Sequence, residues 1–258
     1  MAIDGLALIS GAPPERLGMG PEASPTPKGN QPYGPPSAPV ETRRLNRVPV
    51  LCLNRHGGDY AIAPHRINYR ANLKALVEAG AKRILGVHSV GGIAAEAVPG
   101  MIVIPHDLID YTHSRETSFA EDGAGKGAFV EFASPFDAEM RGGLVAAARG
   151  TECLVRGTYG VTQGPRLETA AEVDRLEQDG CTLVGMTLMP EAVLARELGI
   201  PYVSLSLVTN YAAGRNREGE TGGIIEQHAV WLDTGLERAR ELLVRWLAAS
   251  GSPAWEQR

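Results

Sequence analysis

From residue 47 onward the chain alternates apolar runs of strand length with amphipathic segments of helix length, and that alternation leaves few folds open. RVPVLCLNRH (47 to 56) is predicted as a buried strand, and INYRANLKALVEAG (67 to 80) as a helix that Gly80 closes just past its end. KRILGVHSVGG (82 to 92), GMIVIPHDLID (100 to 110), TLVGM (182 to 186) and PYVSLSLVTN (201 to 210) continue the strand series. PEAVLARELG (190 to 199) is a predicted helix with Pro190 near its first turn. IIEQHAVWLDTGLERARELLVRWLAAS (224 to 250) carries apolar residues at three- and four-residue steps and is predicted as a long helix. The fold class is therefore α/β, a sheet between helix layers. Neither an internal repeat nor a boundary appears, so residues 1 to 258 are expected to form one domain. Residues 11 to 40 stand apart: they hold nine of the eighteen prolines and predict a loop or an arm.

Composition narrows the function classes. Apolar residues make up 43% and charged residues 21%, enough for a sizeable core. The net charge of −5 and the scattered basic residues argue against a nucleic-acid surface. Cys52, Cys153 and Cys181 are far apart, with no C-x-x-C pair, and are expected as core packing. No histidine pair has metal-ligand spacing, so no metal is predicted. No apolar run approaches ~18 residues and no basic-plus-apolar leader opens the chain, so a cytoplasmic protein without membrane contact is expected.

In open α/β sheets ligands bind beyond the carboxyl ends of strands. Four predicted strands here end on NRHGGDY, HSVGGI, GMTLMPE and TNYAAG. Each carries a candidate with a plainer alternative. Arg55 and His56 at a glycine-rich strand end either hold an anion or simply leave the core for solvent. Ser89 begins either a ligand-facing turn or an ordinary one. Thr187 either meets a phosphate oxygen or caps the following helix. Glu168 in VTQGPRLETAAE is a site carboxylate or a first-turn acid, and Asn210 a site amide or a turn former.

The motifs gain weight jointly. YGPPSAP, NRHG, PHRINYRANLKAL, SVGGI, GPRLETAAE, GMTLMPEAVLARELGI and a strand ending in TN occur in order. The pattern resembles the trimeric purine nucleoside phosphorylase and methylthioadenosine phosphorylase family over roughly residues 30 to 245. That resemblance implies a single αβα sandwich with a mixed, partly barrel-like sheet, assembled as a homotrimer or a dimer of trimers. It implies cleavage of a purine nucleoside by inorganic phosphate, with no other cofactor. Arg55, His56, Ser89 and Thr187 fall at phosphate positions, Met186 beside the ribose, and Glu168 and Asn210 at the purine. Asn210, Arg55 and His56 would carry the chemistry. Adenine-directed relatives place an aspartate where Asn210 stands and lack the glutamate, so a 6-oxopurine nucleoside such as methylthioinosine, inosine or guanosine is expected. Methylthioadenosine phosphorolysis and a nucleoside-binding homologue with lost activity are the alternatives. At the 5′ group Phe129, supplied by a neighbouring subunit, is expected, with His228 and Ile225 competing for the remaining position.

Three departures from the family pattern fall at its phosphate end. Ser10-Gly11-Ala12-Pro13 replaces a glycine-rich turn with a hydroxyl, and Ser10 is a candidate substitute for that hydroxyl. Tyr60 stands in place of a histidine, and His88 in place of a threonine or asparagine.

Overall fold

The structure, a computed structural model, describes residues 5–21, 32–120, 129–217 and 222–250. Among the described residues eleven strands form one mixed sheet: β1 (Leu6–Ser10), β2 (Gly20–Pro21), β3 (Glu41–Leu45), β4 (Val48–Asn54), β5 (Arg83–Gly92), β6 (Ile102–Val103), β7 (Asp107–Asp110), β8 (Cys153–Leu154), β9 (Thr158–Val161), β10 (Leu183–Gly185) and β11 (Tyr202–Tyr211). The α-helices among the described residues are α1 (Tyr69–Glu78), α2 (Ala138–Ala147), α3 (Ala170–Gln178), α4 (Glu191–Glu197) and α5 (Ile224–Ser250).

Residue periodicity explains the layering. Along β1, Leu6 and Leu8 join one apolar cluster with α2 and α5, whereas Ala7 and Ile9 join another with α1 and α4. Period-two side chains thus feed two cores, one on each sheet face, as a sheet covered on both sides requires. No helix among the described residues is long and apolar enough to cross a membrane.

The sequence-based elements from residue 47 are present, with corrections. GMIVIPHDLID divides into β6 and β7, because Pro105 cannot donate to a ladder. Within residues 11 to 40 the expected loop contains a 3-10 turn, Pro14–Leu17, and the short strand β2; residues 22–31 lie outside the described residues. The β3–β4 hairpin turns at Asn46 and Arg47, both with positive φ, a turn the sequence reading did not contain.

β5 organises the sheet. Over Arg83–Val87 it pairs with β1, and at Gly91–Gly92 it pairs instead with β10, while β11 follows its other edge. His88 and Ser89 therefore sit where one neighbour has ended and the next has not begun. Such a switch of strand neighbours opens a crevice at the carboxyl end of the sheet. β11 adds a bulge between Val208 and Asn210, which makes Thr209 the extra residue opposite β5.

Candidate active site

A cavity of about 600 Å³ opens at that switch point, within the range of small-molecule sites. Arg55, His56, Ser89 and Thr187 line it, as do Met186, Glu168 and Asn210. His228 and Ile225 also line it, so the two competing positions on α5 face one cavity. His228 Nδ1 lies 2.9 Å from Thr209 Oγ1, while Ile225 is 77% exposed at the rim. Phe129 does not line the cavity of its own chain and is 97% exposed.

Local folding separates the plain readings from the functional ones. Helix α3 starts after Thr169, whose hydroxyl accepts the Glu172 amide N–H while the Glu172 carboxylate accepts that of Thr169. The capping box satisfies the helix end, so Glu168 is not a first-turn acid. Its carboxylate instead accepts the Thr162 hydroxyl at 2.6 Å. In the same loop Gly164, at φ +62°, lies against Met186, and a Cβ there would stand 2.5 Å from the thioether sulfur.

Thr187 does not cap α4 either, since the position before that helix is Pro190 and no side chain caps it. The Thr187 hydroxyl turns inward to His88 Nδ1 at 2.8 Å. Asn210 lies in β11 rather than in a turn. Its Nδ2 donates to the Tyr211 carbonyl at 2.8 Å, and its Oδ1 accepts from Thr209 at 3.2 Å.

Two expectations at the phosphate end need correction. Ser10 is buried and does not line the cavity; its hydroxyl accepts the Ala12 N–H at 3.1 Å and so closes its own turn. Gly11 lines the cavity in its place. Arg55 does not hold its fork open for a bidentate anion. Its Nε and Nη2 donate to the two Glu191 carboxylate oxygens at 2.7 and 2.9 Å, and its remaining bonds go to the carbonyls of Val87 and Ile9. Both side chains are essentially inaccessible, and a charge so buried requires such a partner.

Glu191 was missed because it begins a helix, where an acid is ordinary. The MPE text offered a signal, a carboxylate directly after a glycine- and proline-rich strand end. Tyr202 donates to the same carboxylate at 2.7 Å and meets His88 Nε2 at 3.0 Å. A continuous buried path thus joins Arg55, Glu191, Tyr202, His88 and Thr187. Gly86 lies beneath it, since a Cβ there would stand 2.0 Å from Tyr202 Oη. Arg115 was also missed. It donates to the carbonyls of Met186 and Met189 and to those of Thr162 and Gln163, tying together the two loops that carry Met186 and Glu168.

Burial lowers the His56 pKa to about 4, with the Arg55 charge adding, although the bond to the Ile62 carbonyl opposes the shift. His88 is held well below 6.5 by burial first, then by Arg55 and His56. Burial works against the Arg55 cation, but the Glu191 carboxylate more than offsets it and leaves the pKa raised. The sign for stability follows. Below about pH 6.5 the unfolded chain protonates these two histidines while the folded chain does not. Unfolding free energy should therefore fall with pH in that range, by at most about 1.4 kcal/mol per pH unit for each histidine. Urea titrations at stepped pH would test this, and a stability that is level between about pH 6.5 and pH 5 would contradict it.

The geometry defines an α/β-sandwich enzyme site, with a buried charge pair beside one part of the cavity and a carboxylate and a carboxamide on its walls. Residues 6–248 match the phosphorylase superfamily, and the chain belongs to that family. A probable S-methyl-5′-thioinosine phosphorylase of Pseudomonas syringae pv. tomato is 45% identical over 223 residues, covering 86% of this chain and 89% of that protein. The 6-oxopurine nucleoside phosphorylase of Pyrococcus furiosus is 46% identical over 172 residues, 64% of this chain and 65% of that one. Among solved structures, the methylthioadenosine phosphorylase of Schistosoma mansoni, in complex with adenine, superposes with a TM-score of 0.84 at 27% identity. That match covers 98% of this chain and 93% of the other.

Proposed function

We propose that this enzyme phosphorolyses a 6-oxopurine nucleoside, with 5′-methylthioinosine as the first candidate and inosine or guanosine beside it. The observation that carries this reading is the joint placement of the Glu168 carboxylate and the Asn210 carboxamide on one cavity wall system with Arg55, His56 and Thr187. An ionised carboxylate only accepts hydrogen bonds, so it complements the N1–H of a 6-oxopurine and opposes the bare N1 of adenine. A buried mismatch costs on the order of 1–3 kcal/mol, about ten- to a hundredfold in kcat/KM. The relatives named for methylthioinosine and for 6-oxopurine nucleosides support the same preference.

In the reaction the bond from C1′ to the base nitrogen breaks and a bond from C1′ to a phosphate oxygen forms. The electron pair leaves with the purine, and the phosphate supplies, overall, the proton that the purine takes up. The Asn210 amide would stabilise negative charge growing at the purine N7 edge, as preorganised donors do. Phosphate held near Arg55, His56 and the backbone around Ser89 would serve as nucleophile and counter-charge. Ile225 and Met186 offer apolar contact to a 5′-methylthio group, whereas His228 suits a hydroxyl. The exposure of Phe129 fits a residue that covers a neighbouring copy's 5′ site in a homotrimer.

The test is base release from methylthioinosine, inosine, guanosine and methylthioadenosine, each with and without phosphate. Release of hypoxanthine or guanine only with phosphate is expected, and Glu168→Gln should lower kcat/KM for those substrates about ten- to a hundredfold. Adenine released faster than either base would overturn the assignment of Glu168 and Asn210. Release without phosphate would indicate hydrolysis.

A further inference from the structure

We infer that the anion end of the cavity is wired to accept protons, so that the enzyme takes its phosphate as the dihydrogen monoanion, and that His88 is the positioning residue that sets this wiring. The inference deepens the phosphorolysis reading and rests on it for the identity of the anion.

The direction of each proton follows from what the groups can donate. Glu191 receives two N–H bonds from Arg55, so it is an ionised acceptor. Tyr202 must therefore donate its single proton to Glu191 across their 2.7 Å contact. At the 3.0 Å contact with His88 Nε2, Tyr202 Oη can then only accept, so Nε2 carries the hydrogen. In a neutral imidazole Nδ1 is consequently the bare nitrogen. It stands 2.8 Å from Thr187 Oγ1, which must give it the hydroxyl proton. Thr187 has no proton left for a ligand and offers only lone pairs to the cavity.

His56 reaches the same state by another route. Its Nδ1 lies 2.8 Å from the Ile62 carbonyl, which can only accept, so Nδ1 carries the hydrogen and Nε2 is bare. That edge of the ring faces Gly11 on the cavity wall. Arg55, with five N–H donors, spends four on Glu191, Val87 and Ile9. Thr187 and His56 thus present two acceptors, Arg55 keeps one donor, and the hydroxyls of Ser89 and Tyr60 on the same wall can act either way. A dihydrogen phosphate brings two O–H groups and one negative charge, which fits that set. A phosphate dianion brings one O–H and would turn oxygen lone pairs against lone pairs at Thr187.

The surrounding titratable groups leave the balance in place. Arg55 and Glu191 neutralise each other, and burial raises the pKa values of Tyr60, Tyr69, Tyr159 and Tyr202, keeping these phenols neutral. Tyr159 Oη is buried beside Thr187, and with its proton turned toward Thr187 Oγ1 the threonine proton stays on its path to His88. Protonating His88 would reverse the chain, but burial and the Arg55 charge oppose that.

The test is calorimetric binding of inorganic phosphate between about pH 6 and about pH 8.5, with sulfate as a competitor that has no proton to give. The apparent Kd of the natural protein should weaken about tenfold per pH unit above the second ionisation of phosphate, with sulfate a poor competitor. His88→Thr and His88→Ala each remove the ring nitrogen that takes the Thr187 proton. Whichever of them folds should show a slope under about threefold per unit and gain competition by sulfate. A level Kd in the natural protein, or sulfate competing as well as phosphate, overturns the inference. Unchanged slopes in folded variants overturn the role of His88. Base release is measured separately: a steep Kd with no release would refute the phosphorolysis reading and leave the wiring standing, whereas no phosphate binding would refute both.

Discussion

Replacing Asn210 with alanine is expected to lower kcat by about 10²–10³ while the nucleoside KM changes little. The reasoning starts in β11. The bulge presents Asn210 to the cavity, where the carboxamide is almost fully buried and already anchored through Nδ2 to Tyr211 and through Oδ1 to Thr209. A donor fixed before the reaction begins costs no reorganisation when charge develops on the leaving purine. Its loss should therefore appear mainly in the transition state. Steady-state kinetics with methylthioinosine or inosine would check this. An equal rise in KM at unchanged kcat would mean that Asn210 only binds the ground state.

Glu191→Ala should destabilise the protein by about 3–5 kcal/mol, the largest stability effect expected of a site substitution. The change strands Arg55, whose side chain is 1% accessible, and removes the acceptor of Tyr202. Pairing Glu191→Leu with Arg55→Met should recover much of the loss, because an apolar pair of similar volume avoids the uncompensated charge. Urea unfolding of the single and double variants would measure both. A loss below about 1 kcal/mol in the single variant would show that Glu191 is not the counter-charge that folding requires.

Much of this arrangement was legible in the residues. The strand that became β5, the helix α1 and nearly every turn of α5 follow from apolar spacing, because packing on a covered sheet imposes that spacing. Asn210, Ser89 and Thr187 were legible as candidates because they stand near the ends of predicted strands, and Glu168 because it follows a Gly-Pro step. Their choice between plain and functional roles was not. Thr169 and Thr187 are both hydroxyls just ahead of a helix, yet only Thr169 caps one. The difference lies in His88, 99 positions away from Thr187, which claims the second hydroxyl. Arg55 and Glu191 are separated by 136 positions, and no local pattern encodes their contact. The single arginine after a strand therefore resembled an open anion ligand until its partner was in place. Ser10 was misjudged for a local reason, since a serine two residues ahead of a free amide closes on that amide.

The bulge in β11 has a consequence for how this site can change. Side chains on a strand alternate between faces, and the surplus Thr209 leaves Val208 and Asn210 paired with the adjacent residues Val90 and Gly91, so Asn210 shares the face of Gly91. Exchanging the side chain at 210 alters chemistry while the sheet stays as it is. Loss of Thr209 would leave Asn210 opposite Gly91, because the bulge already absorbs the extra residue. The cavity-facing amide is thus held by its pairing with Gly91, and this wall can change by substitution at 210, or by loss of the neighbouring surplus residue, without losing the position.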